Sequence, residues 1–442
     1  MGVEDSARVS ARVSRSGASP RRCRLPVVCA KGGDHPAIYY FLRPMFQGPS
    51  RDEYNATLED PFYEPSDRLL IRCGGQITAH VHLIHRTMQF GSLQIPVVGL
   101  GWLATAPECR CRGQGRHLLA AAERQMSRSG ALVGLLRTAV PRFFRQTGWA
   151  LCGRHCYSQG DARAVLAKLL DRGLLRKHRP RFKIRPWRLW EQDALVRICG
   201  QNLPGTYGPL QRTPAYWEWL IRRAAYDQIY VALDGPELLE LGEISTHIVG
   251  YAVTKGAKIL ELAVAPNRRK AAAELLARVC GDAIEHNCHC VSLHASPTSS
   301  LHALFRQAGG ERYYREDDKG EVYMARLLNP LKLLRLMCQE FHTRAENAGL
   351  VLPLELGLAV DQKKYRIEVG PAGAKVLSQR LGRSYLRLNV ADFTRLVLGQ
   401  LDWNEAIADR RLEASTGVAR RTGHALFPRL PFWRPPFDDL QA

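Results

Sequence analysis

The sequence predicts a mixed α/β fold built as three consecutive globular blocks. Three observations carry this expectation. An apolar strand at 97–105 runs into a basic, glycine-bearing turn that opens a helix at about 114–128. A second strand of the same kind, at 259–266, is followed by another basic turn and an alanine-rich helix. A third stretch, from about residue 329, starts with a helix and then turns to alternating strands. At 442 residues the chain is too long for one compact core, and its 45% hydrophobic content is ordinary for globular protein.

Residues 1–34 read as a disordered basic tail, with Arg8, Arg12, Arg15, Arg21 and Arg22 among Ser and Ala. They lack the apolar segment of a secretory signal, and Glu4 and Asp5 weigh against an organelle transit peptide. The first block, 35–160, holds two runs at 68–73 and 76–83 around Gly74-Gly75, the pattern of a hairpin. The strand at 97–105, the helix at 114–128, a strand at 131–136, a short helix at 141–147 and a strand from Trp149 complete it. A helix at 161–172 and the basic run Lys177-His178-Arg179-Pro180-Arg181 make a linker, 161–183. The second block, 184–328, opens on the strand Ile184-Arg185-Pro186-Trp187 and has a helix around Tyr216–Leu220. Hairpin runs at 229–233 and 248–253 lead to the strand at 259–266, and a further strand is expected at 291–294. Its Trp and Tyr residues are expected in the core or between blocks. The third block, 329–442, has a helix at 330–341, strands at 353–360, 363–369 and 384–390, and a helix at 391–398. An aromatic–proline segment, 425–437, and an acidic tail close the chain.

The chemistry centres on the turn after 97–105. Arg110-Cys111-Arg112-Gly113-Gln114-Gly115 spells R-x-x-G-x-G, and Arg116 follows. Glycines let backbone N–H groups approach a diphosphate, and a helix N-terminus adds free donors and a dipole that favours anions. A dinucleotide fold would need G-x-G-x-x-G and an acidic residue about 20 positions on, and no Asp or Glu is well placed for that.

This arrangement resembles the pyrophosphate-binding motif of the GNAT N-acetyltransferases, which hold acetyl-CoA there. The order of strands and helices in the first block is similar to a GNAT domain. The second block looks like another GNAT domain whose turn, Asn267-Arg268-Arg269-Lys270, has the charge but neither glycine, and so reads as degenerate and free of CoA. The third block resembles a sterol-carrier-protein-like domain. Two tandem GNAT domains followed by such an α+β domain is the architecture of the Eis (enhanced intracellular survival) family, and the resemblance spans roughly residues 35–442. It implies an acetyl-CoA-dependent transferase acting on a primary amine, of aminoglycoside or polyamine type or of lysine, in a homo-oligomer such as a hexamer. It implies that Leu103, Ala104 and Thr105 bind the pantetheine arm. Arg110, Cys111, Arg112, Gly113, Gln114, Gly115 and Arg116 would then bind the pyrophosphate, with Ala139 and Val140 also touching CoA.

Two departures concern catalysis. The family's general acid is a tyrosine in F-Y-x-x-x-G-[FYW], whereas this chain has Phe143-Phe144-Arg145-Gln146-Thr147-Gly148-Trp149. Phe144 has no proton to give, so either solvent protonates the leaving thiolate or another residue does. Tyr157 is a candidate for that role and equally an ordinary strand tyrosine. The family also uses its C-terminal carboxylate, and its chains commonly stop where Phe437 stands here. Asp438, Asp439 or the displaced carboxylate of Ala442 would then serve the site, or form a solvated tail. His80 and His82 share one strand face and, with His85, are candidates for substrate binding or proton relay as well as for a satisfied strand pair. Asp60, Glu64 and Asp67 precede the hairpin and are candidates for holding an amine. A non-catalytic acyl-CoA sensor or scaffold is the alternative reading.

The net charge of +21 is dispersed over all segments, with no helix-turn-helix, zinc-finger or RNP motif, so a nucleic-acid partner is not expected. No run of 18 apolar residues suggests a membrane span. The twelve cysteines form no framework and suit free thiols in a reducing cytosol, which places the protein in the cytoplasm. Cys109-x-Cys111 and His286-x-Cys288-His289-Cys290 lack a partner pair at zinc-finger spacing, and no metal is expected.

Overall fold

The computed structural model describes residues 25–45, 48–153, 155–176, 181–235, 247–315, 317–318 and 321–438. Most of the expected basic tail, part of the basic linker run, Asp439 and Ala442 lie outside the described residues. Among the described residues the strands form three sheets. The first runs β1 (Val27–Cys29), β2 (Arg68–Cys73), β3 (Gln76–Phe90), β4 (Leu93–Thr105), β5 (Val133–Thr138), β16 (Glu321–Leu327) and β15 (Asp317–Asp318). Beside this path, β6 (Ala150–Leu151) pairs with β16 and β9 (Tyr207–Leu210) pairs with β3. The second runs β14 (Glu311–Arg315), β7 (His155–Asp161), β13 (Cys290–His294), β12 (Lys258–Val264), β11 (Ile248–Lys255), β10 (Gln228–Leu233) and β8 (Lys183–Pro186). The third runs β19 (Gly373–Ser378), β18 (Lys363–Gly370), β17 (Leu354–Val360), β20 (Tyr385–Leu388) and β21 (Leu412–Ala414).

The first two sheets exchange strands. β7 lies between β13 and β14 of the second sheet, although its residues were expected to close the first block. In return β16, expected in the second block, runs antiparallel to β5 from Val322↔Thr138 to Leu327↔Val133. Sequence periodicity marks a strand but not its partner, so the exchange has no local signature. β1 also falls inside the span read as a tail. Its pairing from Val27↔Ile71 to Cys29↔Leu69 gives the β-branched pair Val27-Val28 an edge to join.

The β3–β4 hairpin is longer than the pattern suggested, pairing from Ala79↔Thr105 to Phe90↔Leu93 around Gly91 at φ 66°. The apolar alternation breaks at His85, Arg86 and Gln89, which is why the strand was expected to end near Leu83. Two of these polar groups are buried and partnered: Arg86 pairs with Asp60 although its Nε has no hydrogen-bond partner, and Gln89 donates to the Gly91 carbonyl at 2.6 Å.

One face of the first sheet carries α3 (Gln114–Arg128), whose Leu118, Leu119, Ala122 and Met126 pack with Val81, Leu83, Val98 and Leu100. Near the β4 C-terminus the other face is covered by α1 (His35–Leu42) and α2 (Arg51–Leu58), with Ile38, Leu42 and Tyr54 against Leu70 and Ala104. Farther along that face Met88, Phe90, Val97 and Val133 join a core shared with the third sheet. The helix expected at 330–341 is two helices, Pro330–Leu336 and Cys338–Asn347. Among the described residues no helix is long and apolar enough to cross a membrane.

Candidate functional site

The site is built where β4 leaves β5. The two strands pair in parallel only from Val97↔Val133 to Leu100↔Leu136, after which β4 continues to Thr105 without β5 beside it. The pairing of β3 with β4 is irregular at the same level. His80 faces Ala104 and His82 faces Gly101, so Val81 stands opposite both Trp102 and Leu103. Trp102 takes φ 48°, a left-handed conformation that side chains rarely adopt. A bulge there takes main-chain groups of β4 out of the regular ladder with β3.

Buried groups hold this bulge. His80 Nδ1 donates to the Trp102 carbonyl at 3.0 Å, and Arg68 Nη1 donates to His80 Nε2 at 3.3 Å. That pattern fixes His80 as a neutral imidazole, and burial together with the Arg68 charge pushes its pKa down to about 3. His80 is therefore a structural brace for the strand. His82, on the same face, packs against Trp102 at 6.0 Å and Tyr63 at 5.5 Å between ring centres. Its ring nitrogens have no hydrogen-bond partner among the described residues, and burial followed by Arg68 drives its pKa well below 6.5. His85 pairs with Asp67 at 3.2 Å.

The turn behaves as a donor cradle. Pro107–Cys109 forms a 3-10 turn, Cys111 takes φ 58° and Gly113 takes φ 81° as the N-cap of α3. No side chain caps α3, whereas Ser50, Asp161, Thr213, Ser299 and Thr416 cap other helices. The first helical hydrogen bond runs from His117 N to Gly113 O at 3.0 Å, so the N–H groups of Gln114, Gly115 and Arg116 precede it. The side-chain carbonyl of Gln114 is buried with no hydrogen-bond partner. Arg110 Nε donates to the Thr105 carbonyl at 3.2 Å, Arg116 bonds Gln146, and Arg112 is exposed. A Cβ added at Gly115 would lie 3.4 Å from Thr105 Oγ1 and 3.7 Å from the Phe143 ring. Both are ordinary contact distances, so the space at Gly115 admits a methyl group. Ala139 and Val140 are exposed beyond β5, and Val140 N donates to Thr138 Oγ1 at 3.0 Å. These free donors at a left-handed glycine fit a diphosphate.

Residues 29–152 match the acetyltransferase (GNAT) domain family. The whole chain has the fold of solved proteins of that kind. A GCN5-related N-acetyltransferase from Anabaena variabilis superposes with a TM-score of 0.72 at 17% identity, covering 93% of this chain and 99% of that one. Another GCN5-related N-acetyltransferase, from Kribbella flavida, gives 0.69 at 17% identity over 93% and 97%. Eis1 from Mycobacterium abscessus gives 0.62 at 14% identity over 92% and 99%. No curated protein matches the chain. The chain therefore shares its fold with these proteins over most of its length, and the strand gap and the turn lie within the matched residues 29–152.

The remaining expected site residues divide. Phe144 lies in α4 (Pro141–Arg145), is 4% exposed, and packs edge-on against Phe143 and Trp149 in the core under α3. Tyr157 does not join this site, because β7 carries it into the second sheet, where it stacks between His294 at 5.3 Å and Tyr313 at 5.4 Å. Asp438 is buried on the second unit, not free as a tail residue. Arg212 Nε donates to it at 2.8 Å, and Arg212 also pairs with Glu261. Burial raises the Asp438 pKa, and Arg212 opposes that shift. Asp60 is taken by Arg86, and Asp67 Oδ2 accepts from Glu64 N at 2.9 Å.

The corresponding turn of the second sheet lacks the cradle. After β12, Arg268 N bonds Ala265 O at 2.8 Å, and Ala271 and Ala272 N–H bond Arg268 and Arg269 carbonyls at 2.9 and 3.2 Å. Arg268 itself pairs with Asp234 at 3.0 Å. Two of the N–H groups that would face an anion, those of Ala271 and Ala272, are spent within the turn.

Sequence reading missed Arg68, Tyr54, Tyr63, Trp102 and Thr57. Tyr63 accepts from Arg68 Nε at 3.0 Å and donates to His35 Nε2 at 2.8 Å, while Thr57 Oγ1 accepts from Arg68 Nη2 at 2.8 Å. Burial raises the pKa of Tyr63, and that of Tyr54 to about 12, so both phenols stay protonated. A usable signal existed: Arg68 opens β2 directly opposite His82, which puts a charge in register with a histidine face.

Proposed function

We propose that the protein is an acetyl-CoA-dependent N-acetyltransferase that acylates a primary amine, of a small molecule or of lysine. The observation that carries this reading is the gap between β4 and β5 beside an uncapped helix entered through Gly113. Leu103, Ala104 and Thr105 would hold the pantetheine arm along the free edge of β4. Residues Arg110 to Arg116 would hold the diphosphate, flanked by Ala139 and Val140. Acetyl-CoA supplies the activated acyl group. The acceptor comes from the opposite face, beside Trp102 and His82. The amine must be neutral to attack. The burial and positive surroundings that keep His82 unprotonated would also disfavour an ammonium placed beside it. The thiolate takes its proton from solvent, since Phe144 cannot give one. The second unit is structural, the third, read as sterol-carrier-protein-like, shapes the acceptor side, and the chain assembles as a homo-oligomer.

The test is free-thiol release from acetyl-CoA over a panel of amines, alongside calorimetric CoA binding to the same sample. Release that depends on an amine supports the enzyme. Failure to bind CoA refutes the site. Tight CoA binding with no release from any amine supports the second reading, an acyl-CoA sensor or scaffold, which the buried Phe144 favours.

A further inference from the structure

Arg68 opens β2 on the acceptor face, and its side chain is fully buried. Its hydrogen bonds go to the Tyr63 hydroxyl, His80 Nε2 and the Thr57 hydroxyl. Its guanidinium carbon lies 4.8 Å from the Tyr54 ring centre, 5.3 Å from that of Tyr63 and 5.3 Å from that of Trp102. Each of these partners is neutral. The other buried arginines differ: Arg86 has Asp60, and Arg212 has Glu261 and Asp438. Arg68 makes no ion pair among the described residues. Its chain neighbour Asp67 is committed to His85 and to the Glu64 N–H.

Arginine does not deprotonate in proteins, so a full positive charge stands here without a counter-charge. Aromatic faces offset part of it. Low-dielectric surroundings leave the rest acting over several ångströms. Its cover towards Trp102 is thin, since Thr57, Tyr63 and Trp102 are only half-buried. Burial and this charge together lower the pKa of His35, His80 and His82. Five N–H groups belong to the guanidinium, and three of them are used, which leaves donors for a further acceptor.

Granting the reading above, that the amine meets the thioester at the Trp102 bulge, we infer that the acceptor is an amine that also carries a carboxylate. The carboxylate supplies the missing counter-charge of Arg68. Polyamines and aminoglycosides, which bring several further positive charges to the same place, are poor acceptors. Asp60 is not free to offset them, because Arg86 neutralises it.

The experiment compares amine acceptors that differ in whether they carry a carboxylate and in how many positive charges they bring. Phenethylamine, phenylalanine, spermidine and tobramycin are assayed by thiol release at low and moderate salt. Phenylalanine should exceed the two polycations in kcat/KM by at least about tenfold, a gap that salt narrows. Polycations that match or exceed phenylalanine would overturn the inference. A second arm needs no turnover: calorimetric binding of N-acetylphenylalanine and of N-acetylspermidine to the CoA-loaded protein. The carboxylate ligand should bind at least about tenfold tighter, and Arg68→Met should erase that preference while Arg68→Lys keeps it. Equal binding of the two ligands, or a preference unchanged in Arg68→Met, would refute it even if both variants fold. Loss of CoA binding in the unmodified protein would instead fail the underlying site assignment.

Discussion

The cradle assignment stands or falls on Gly113. At φ 81° any side chain there costs about 1–2 kcal/mol of backbone strain, so substitution alone will perturb the turn. The charge effect is separated by comparing Gly113→Asp with Gly113→Asn, since both share size and tolerance of the left-handed region. A carboxylate roughly 5 Å from a bound diphosphate costs about 1–3 kcal/mol per charge pair, between water-like and protein-surface screening. CoA should therefore bind Gly113→Asp roughly 5- to 150-fold more weakly than Gly113→Asn. The gap should shrink at high salt. Pantetheine, which lacks the diphosphate, should bind both variants alike. Gly115→Ala serves as the control. Its added Cβ would sit in ordinary contact 3.4 Å from Thr105 Oγ1, and about 1 kcal/mol of helix propensity favours it. Calorimetry at fixed salt decides the matter, and equal CoA affinity for the Asp and Asn variants would refute a diphosphate at this turn.

Phe144→Tyr restores a phenol at the missing acid position and should raise turnover by about tenfold or more without changing the KM for acetyl-CoA; unchanged turnover means that solvent already meets the need. Folded His80 stays neutral down to about pH 3, while the unfolded chain takes up a proton below about 6.5. Its contribution is therefore present above pH 6.5 and drains as pH falls towards 3, on the order of 5 kcal/mol in all. Urea unfolding at pH 7 and pH 4 should show a smaller loss in His80→Gln than in the parent, and parallel losses would refute the brace. Asp438→Ala removes one of the two carboxylates on buried Arg212 and should lower stability by about 3 kcal/mol, read as a lower urea midpoint at unchanged slope. An unmoved midpoint would show that Glu261 alone suffices.

What the sequence could reveal follows from the range of the interactions involved. The β4 strand, the turn and α3 are contiguous in the chain, and their apolar periods and glycines are local signals, so that part of the site was legible. Partnership was not. β7 and β16 have ordinary strand patterns, and only the assembled sheets show that each crosses to the other unit. That crossing is what removes Tyr157 from the first site. The C-terminal aromatic–proline segment was visible in the sequence, but its destination was not. Phe437 packs on Trp217 and Tyr226, and its carbonyl accepts from Arg223 at 2.7 Å, all on the second unit.

The acceptor face shows the same limit in its charges. The sequence presents Asp60, Glu64 and Asp67 as a ready acidic patch for a cationic amine. Folding spends Asp60 on Arg86, 26 positions away, and sets Asp67 against His85, while Arg68 makes no ion pair among the described residues. A net sum over the chain cannot see this, because each ion pair cancels its members wherever they lie in sequence. The sign of the field beside Trp102 is thus set by which arginine lacks a carboxylate. In the proposed enzyme that positive field disfavours an ammonium until a carboxylate of the acceptor offsets it.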